Sequence, residues 1–250
     1  MQKLFRIKLC TLLIAFLSSL IPLSSQAVED ITFSGDRPLN QYVPSVVVSI
    51  LTEAFKRNGI RFKAVYHPSL RSLLYSSTGT LDGELHRVYD FHNISGHKYP
   101  NLIRIESKIL TDWLAVFGTR EMKFETWNDL SGYRIAYTRG RKNMQKIIEQ
   151  FFPKEVIVIC NNDTDAFKRL SDGQVDIVLA SSRSGDYLLE THPVFKNITK
   201  LKKVSPVKIY SYIHKKHQRL AAKIANTIKE MKKDGSYASL VAAVSNSSNF

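Results

Sequence analysis

Cysteine is nearly missing from this sequence: 250 residues contain only Cys10 and Cys160. Acidic residues are also scarce, 22 Asp and Glu against 36 Lys and Arg, for a formal charge of +14. One extended apolar run exists, residues 9–23, broken by Cys10, Thr11, Ser18, Ser19 and Pro22. It falls short of the roughly 20 apolar residues that a membrane-spanning helix needs. The run follows the basic Lys3, Arg6 and Lys8 and precedes Ser25-Gln26-Ala27, whose small residues suit a cleavage site. This three-part pattern predicts a secretory signal peptide over 1–27, cleaved after Ala27. Cys10 lies too early, inside the apolar run, to carry a lipid anchor.

Such cleavage leaves residues 28–250, enough for two modest domains or one large one. Only Cys160 remains, so an intrachain disulfide is excluded and burial must hold the fold together. Cys160 ends the apolar stretch EVIVIC and is expected as a buried structural thiol rather than a nucleophile. The histidines are scattered and no Cys/His group has zinc-ligand spacing, so neither a metal site nor a cofactor is expected. Loss of Lys3, Arg6 and Lys8 lowers the formal charge from +14 to +11. A basic surface can favour nucleic acid, acidic membranes or anionic ligands. Here the basic residues are spread along the chain rather than massed in a stripe with interleaved aromatics, so no nucleic-acid partner is expected.

Strand and helix patterns alternate after the signal. DITFSG reads as a strand; Ser45 precedes a helix with Val47, Ile50, Leu51, Ala54 and Phe55 on one face, stopped at Gly59. IRFKAVY follows as a strand, then a short helix carrying Leu70, Leu73 and Leu74, ended by Gly79, and the strands NLIRIES and DWLAVFG. A second round begins near Thr119: TWNDLSG as a short helix or turn, the strand YRIAYT, and a helix carrying Met144, Ile147, Ile148 and Phe151. Then come the strand EVIVIC, the helix DTDAFKRLSDG, the strand VDIVLA, the helix SRSGDYLLE and the extended VSPVKIYSYIHKK. A last long helix carries Leu220, Ile224, Ile228 and Met231 and is capped at Gly235. One device occurs twice: Ser-x-Gly-x-(Val/Leu)-Asp at 77–82 and 171–176. In each copy the glycine turns a helix back into a buried strand, and Asp82 and Asp176 are expected to stabilise the turn rather than to catalyse. The alternation argues for two α/β lobes of mainly parallel sheet. Ligands of open α/β sheets bind outside the carboxyl ends of the strands.

The segments SVVVSILTEAFKRNG, LRSLLYSSTGTLDGE, TWNDLSGYRIAYTRG, AFKRLSDGQVDIVLA and IHKKHQRLAAKIANTIKEMKKDGSYASLV resemble, in order and spacing, the type II periplasmic solute-binding proteins. These form the extracellular solute-binding family 3, receptors of ABC importers. The resemblance spans essentially the whole mature chain. It implies two lobes joined by hinge strands near 114–119 and 205–210, with lobe one over 28–117 plus 206–250 and lobe two over 118–205. It also implies a periplasmic monomer that captures a small solute, partners an inner-membrane ABC permease and is not an enzyme. The pattern departs at the site. Where amino-acid binders of the family carry an acid for the ligand ammonium, this chain has Ser181; Arg87 comes early in ELHRVYD; and Gly140-Arg141 stands where Gly-Ser/Thr opens a helix.

The candidate ligand residues are Phe33 and Tyr42 for stacking, Arg87 for a carboxylate or phosphate, Thr138, Arg139, Gly140 and Arg141 at a strand-to-helix junction, and Ser181 and Ser182. They predict a cleft with more cationic than anionic groups and a small polar ligand, anionic or neutral. Two other readings use the same fold: a dehydratase-like periplasmic enzyme, for which His86 and His97 are the candidate acid/base groups, and a ligand-sensing input protein.

Overall fold

The computed structural model describes residues 30–119 and 122–247, so the signal peptide expected over 1–27 lies outside the described residues. The chain opens with β1 (Asp30–Gly35), α1 (Tyr42–Lys56), β2 (Arg61–Tyr66), α2 (Ser69–Thr78) and β3 (Gly83–Val88). Helix α1 buries Val43, Val46, Val47, Ile50, Leu51, Ala54 and Phe55 against Ile31 and Phe33 of β1. It starts three residues before the expected cap, because Pro44 is tolerated in a first turn, where its missing N–H is not required. Ser45 therefore lies inside the helix, its hydroxyl donating to the Leu39 carbonyl at 2.8 Å. Helix α2 ends at Gly79, in the left-handed region with φ of 81°. Of its leucines only Leu73 is buried; Leu70 and Leu74 are 47% and 56% exposed. The inward face of α2 is instead made of Ser69, Ser72 and Ser76.

The middle of the chain runs α3 (Phe91–Ile94), β4 (Leu102–Arg104), β5 (Leu110–Thr119) and β6 (Ile135–Thr138). It continues through α4 (Lys142–Phe151), β7 (Ile157–Cys160), α5 (Asp163–Ser171), β8 (Ile177–Ser181) and α6 (Ser182–Thr191). The long β9 (Ile198–His214), α7 (Gln218–Lys233) and α8 (Ser236–Ser247) complete it. Gly235 does not end the helical region: at φ of 83° it turns the chain into α8. Tyr237, Leu240, Val241 and Val244 of α8 then pack on the cluster built by α1 and α7.

The strand order is β2-β1-β3-β9-β5-β8-β6-β7, with β4 paired to β9. Within it, β2-β1-β3 and β8-β6-β7 are parallel triplets. Between them β9 and β5 run antiparallel to each other, with register shifts at Leu114/Ala115 and Val116/Phe117. Strand β9 hands over to β3, and β5 to β8. The result is two lobes of mainly parallel sheet flanked by helices and joined by two long strands. One lobe is cored by Phe33, Phe55 and Ile224; the other carries apolar clusters around Phe117 and Phe167 and around Ile148 and Leu179.

The repeated Gly-x-(Val/Leu)-Asp device does the same job in each lobe. Asp82 accepts the Thr32 N–H at 2.8 Å while its own N–H donates to the Thr32 carbonyl at 2.8 Å. Asp176 does the same with Arg134, at 2.8 Å and 2.9 Å. Each aspartate thus pins the start of its strand to a neighbouring parallel strand. Cys160 is buried, as expected, and burial pushes its thiol up to about 11.

Candidate functional site

The carboxyl ends of β1, β3, β6 and β8 face one another across the crossing strands. Asp36 and Arg37 follow Gly35, His86 and Arg87 close β3, Gly140 and Arg141 follow β6, and Ser181 ends β8. Asp112 comes from β5 and Asp163 from the first turn of α5. Arg37, Glu84, His86, Arg87, Asp112, Arg141 and Asp163 are all buried, and the Asp36 side chain is 4% exposed. Buried charges persist only when paired and hydrogen-bonded, and here they form a connected network.

Arg87 donates through Nε to Glu84 at 2.7 Å and through Nη1 to Asp36 at 3.1 Å. Glu84 is held from its other oxygen by the Ser72 hydroxyl at 2.6 Å. Arg141 donates to Asp163 at 3.3 Å, and its Nε lies 4.0 Å from Asp36. Thr138 donates to the second Asp163 oxygen at 2.5 Å. Arg37 reaches across: its Nη1 donates to Ser181 and Ser184, each at 3.3 Å, and lies 3.6 Å from Asp112. The Ser181 hydroxyl donates to Asp112 at 2.6 Å.

Burial would raise the Asp36 carboxyl, but Arg87, Arg141, His86 and Arg37 outweigh it and hold it far below the usual carboxylate range. Burial raises Glu84, despite Arg87 and Ser72. Burial also depresses the His86 imidazole, to about 3, although Asp36 pulls the other way. His86 is therefore neutral at physiological pH, with Nδ1 3.3 Å from Asp36.

The cavity lining carries the expected cationic excess, Arg37, Arg87, Arg141 and Lys142 against Asp36 and Asp112. In the buried network behind it the balance is closer: three guanidiniums, Arg37, Arg87 and Arg141, meet four carboxyl groups, Asp36, Glu84, Asp112 and Asp163. The remaining hydrogen-bonding capacity is nevertheless mostly cationic. Nε of Arg37 and both Nε and Nη1 of Arg141 are buried without a hydrogen-bond partner among the described residues; on the acid side, Asp36 Oδ1 is in that position. These groups line a cavity of about 40 Å³. That holds a few waters and is far below the several hundred Å³ of sites that enclose drug-sized ligands. A second hollow of about 160 Å³ lies against the same Asp36, Arg37 and Arg141, walled by Gln41, Tyr66, Pro68 and Asn161.

Of the residues singled out in the sequence, Arg87, Gly140, Arg141 and Ser181 line the cavity. Thr138 stands one step back as the partner of Asp163. Phe33 does not reach the cleft: its inward position on β1 places the ring against Phe55 and Phe62, with centroids 5.7 and 5.4 Å apart. Tyr42 lies under the Arg183 guanidinium, 4.0 Å from its ring centroid, rather than in the cavity lining. Arg139 points to solvent. Ser182 is turned toward Lys200, whose ammonium it accepts at 3.1 Å while Asp186 takes the charge at 2.7 Å. His86 lines the cavity; His97 does not. Asp36, Arg37, Asp112 and Asp163 escape the sequence reading. The first two follow a strand end, which was the available signal; Asp112, in mid-strand, gives none.

No family model matches the sequence. An uncharacterized protein of Shewanella oneidensis is 29% identical over 191 residues, covering 74% of this chain and 70% of that protein. Among solved structures, a histidine kinase sensor domain with similarity to periplasmic binding proteins superposes with a TM-score of 0.73. It is 16% identical and covers 87% of this chain and 96% of its own. An ABC uptake transporter substrate-binding protein from Streptococcus pneumoniae with bound histidine reaches 0.69 at 14% identity, over 87% and 92%. An ancestral amino-acid-binding protein, a precursor of cyclohexadienyl dehydratase, reaches 0.67 at 15% identity, over 86% and 94%. At these identities the likeness concerns architecture: the chain has the two-lobed fold of the periplasmic binding proteins, with its buried ionic network between the lobes.

Proposed function

We propose that the protein is an exported solute-binding protein whose lobes close on a small polar solute carrying an oxyanion group, a carboxylate in the first instance. The observation that carries this reading is the pair Arg141 and Arg37. Both guanidiniums are buried between the lobes and retain N–H donors with no acceptor among the described residues. A planar guanidinium is suited to a carboxylate, which it can engage through two parallel hydrogen bonds. Arg141 also lies where β6 hands over to α4, and a helix N-terminus favours negative charge. We assign lobe one to 28–117 plus 206–250 and lobe two to 118–205. Export follows cleavage after Ala27, and the protein works as a periplasmic monomer delivering its solute to an inner-membrane ABC permease. The hollows of about 40 and 160 Å³ left between the lobes imply that the solute enters an opened cleft, which then closes by hinge motion.

A dehydratase-like activity is disfavoured by His86. A general base works best with a pKa near the operating pH, and burial holds this imidazole near 3. The likeness to a histidine kinase sensor domain supports a second reading, in which the same closure signals to a separate partner rather than feeding a permease.

Calorimetry and small-angle scattering with a panel of carboxylates, phosphates, neutral sugars and cationic amines test the proposal. A carboxylate should bind and compact the protein. A cationic amine as the only tight binder would overturn it, and turnover of any carboxylic acid in the panel would move the reading to an enzyme.

A further inference from the structure

We propose that Arg37 is a tethered cation that sets the specificity of the cleft. Its guanidinium occupies a niche formed by Asp112, Ser181 and Ser184, so that solutes with an oxyanion and no cationic group are accepted. The inference rests on reading the cleft as a solute site. Asp112 is 3% exposed and sits on one of the two strands that join the lobes. Its Oδ1 accepts the Trp113 N–H at 2.8 Å and its Oδ2 the Ser181 hydroxyl at 2.6 Å. Those are neutral donors, and a buried carboxylate needs a counter-charge. Arg37 supplies it, 3.6 Å from Oδ2, while donating to both serine hydroxyls of the opposite lobe.

Arg37 stands two residues beyond the end of β1, so its charge reaches the niche by a short covalent tether. A free ammonium or guanidinium must compete with that intramolecular cation at its high effective concentration. Displacing Arg37 would also move a second positive charge toward Arg141. The niche is acidic in composition yet closed to cationic solutes, and it becomes a cation site only when Arg37 is shortened.

The test is chemical rescue. Arg37→Ala should melt below wild type, and about 10 mM methylguanidinium should raise its midpoint by about 4 °C, the size of shift expected at ten-fold saturation for a chain of this length. Wild type at matched ionic strength should not shift. Adding Asp112→Asn to Arg37→Ala should abolish the response. If Arg37→Ala does not fold alone, the yield of soluble protein refolded with and without methylguanidinium gives the same readout, and Arg37→Gln, which keeps the stem, is the milder variant. Equal responses in wild type and Arg37→Ala, or a response that survives Asp112→Asn, overturn the assignment. Scattering separates this from the wider reading. A wild type that compacts with a carboxylate while rescue fails loses only the role of Arg37. A wild type that compacts with nothing loses the solute site, whatever the rescue shows.

Discussion

Gly140 offers a way to make closure costly. It follows β6 at φ of 82°, and a Cβ built on it would lie 2.5 Å from the Ser69 Oγ and 2.8 Å from the Ser69 Cβ. Gly140→Ala therefore has two costs of different kinds. The left-handed backbone penalises an L side chain by roughly 1–2 kcal/mol, and this is present whether the lobes are open or closed. At about 2–4 °C per kcal/mol for a chain of this length, it appears as a lower melting midpoint without ligand. The clash is different, because Ser69 begins α2 in the other lobe. Overpacking of about 1–3 kcal/mol is felt only when the lobes meet, so it subtracts from ligand affinity, by about 5- to 150-fold. Calorimetry on the wild type and Gly140→Ala measures the affinity loss, and scattering with saturating ligand measures whether the variant still compacts. The double variant with Ser69→Gly removes both clashing atoms and should regain most of the affinity but none of the melting midpoint lost to backbone strain. A Gly140→Ala protein that binds and compacts like wild type would refute the reasoning, since the contact between Gly140 and Ser69 would then not belong to the liganded state.

Three other outcomes follow from the same geometry. His86 takes up its proton near 6.5 in the unfolded chain and near 3 in the folded one. The unfolded chain thus binds more protons between these values, and stability should fall by about 2 kcal/mol from pH 7 to pH 5. Denaturant titrations should show a steeper fall in wild type than in His86→Gln, which keeps the contribution of His214, an imidazole that burial also depresses. Asp82 is raised by burial but held below 3.8 overall by its hydrogen bonds from Lys216, the Thr32 N–H and His217. Its contribution is present above that pH and lost as pH falls further. Asp82→Asn should cost about 1–2 kcal/mol at neutral pH, and Asp176→Asn less, because Asp176 is 31% exposed against 16% for Asp82; urea unfolding decides the order. Cys160, its thiol pushed up to about 11 by burial, should resist iodoacetamide at pH 8 in the native protein and react once unfolded, as read by mass spectrometry.

The fold was legible wherever burial imposes a period, and less so where a single residue bends a rule. Ile50, Leu51, Ala54 and Phe55 announce α1, but its start is hidden because Pro44 can sit in a first turn. Gly235 looks like a stop, yet its left-handed φ is also what lets the chain turn into α8. For the site, the rule that ligands gather past strand ends finds Arg87, Arg141 and Ser181. Applied to β1 it would have found Asp36 and Arg37, which a preference for the aromatic Phe33 concealed. Alternation along DITFSG already sends Ile31 and Phe33 to one face, and that is the face α1 covers. Asp112 is illegible for a different reason. It meets Ser181 only because β5 and β8 pair with Leu114 opposite Ser181, a register joining positions far apart in the chain. Nor does the overall charge of +14 forecast the cleft. A solvated surface can carry any surplus, whereas a buried guanidinium must bring an acid with it. The three arginines therefore imply carboxylates somewhere in the chain, and only the folded register says which ones.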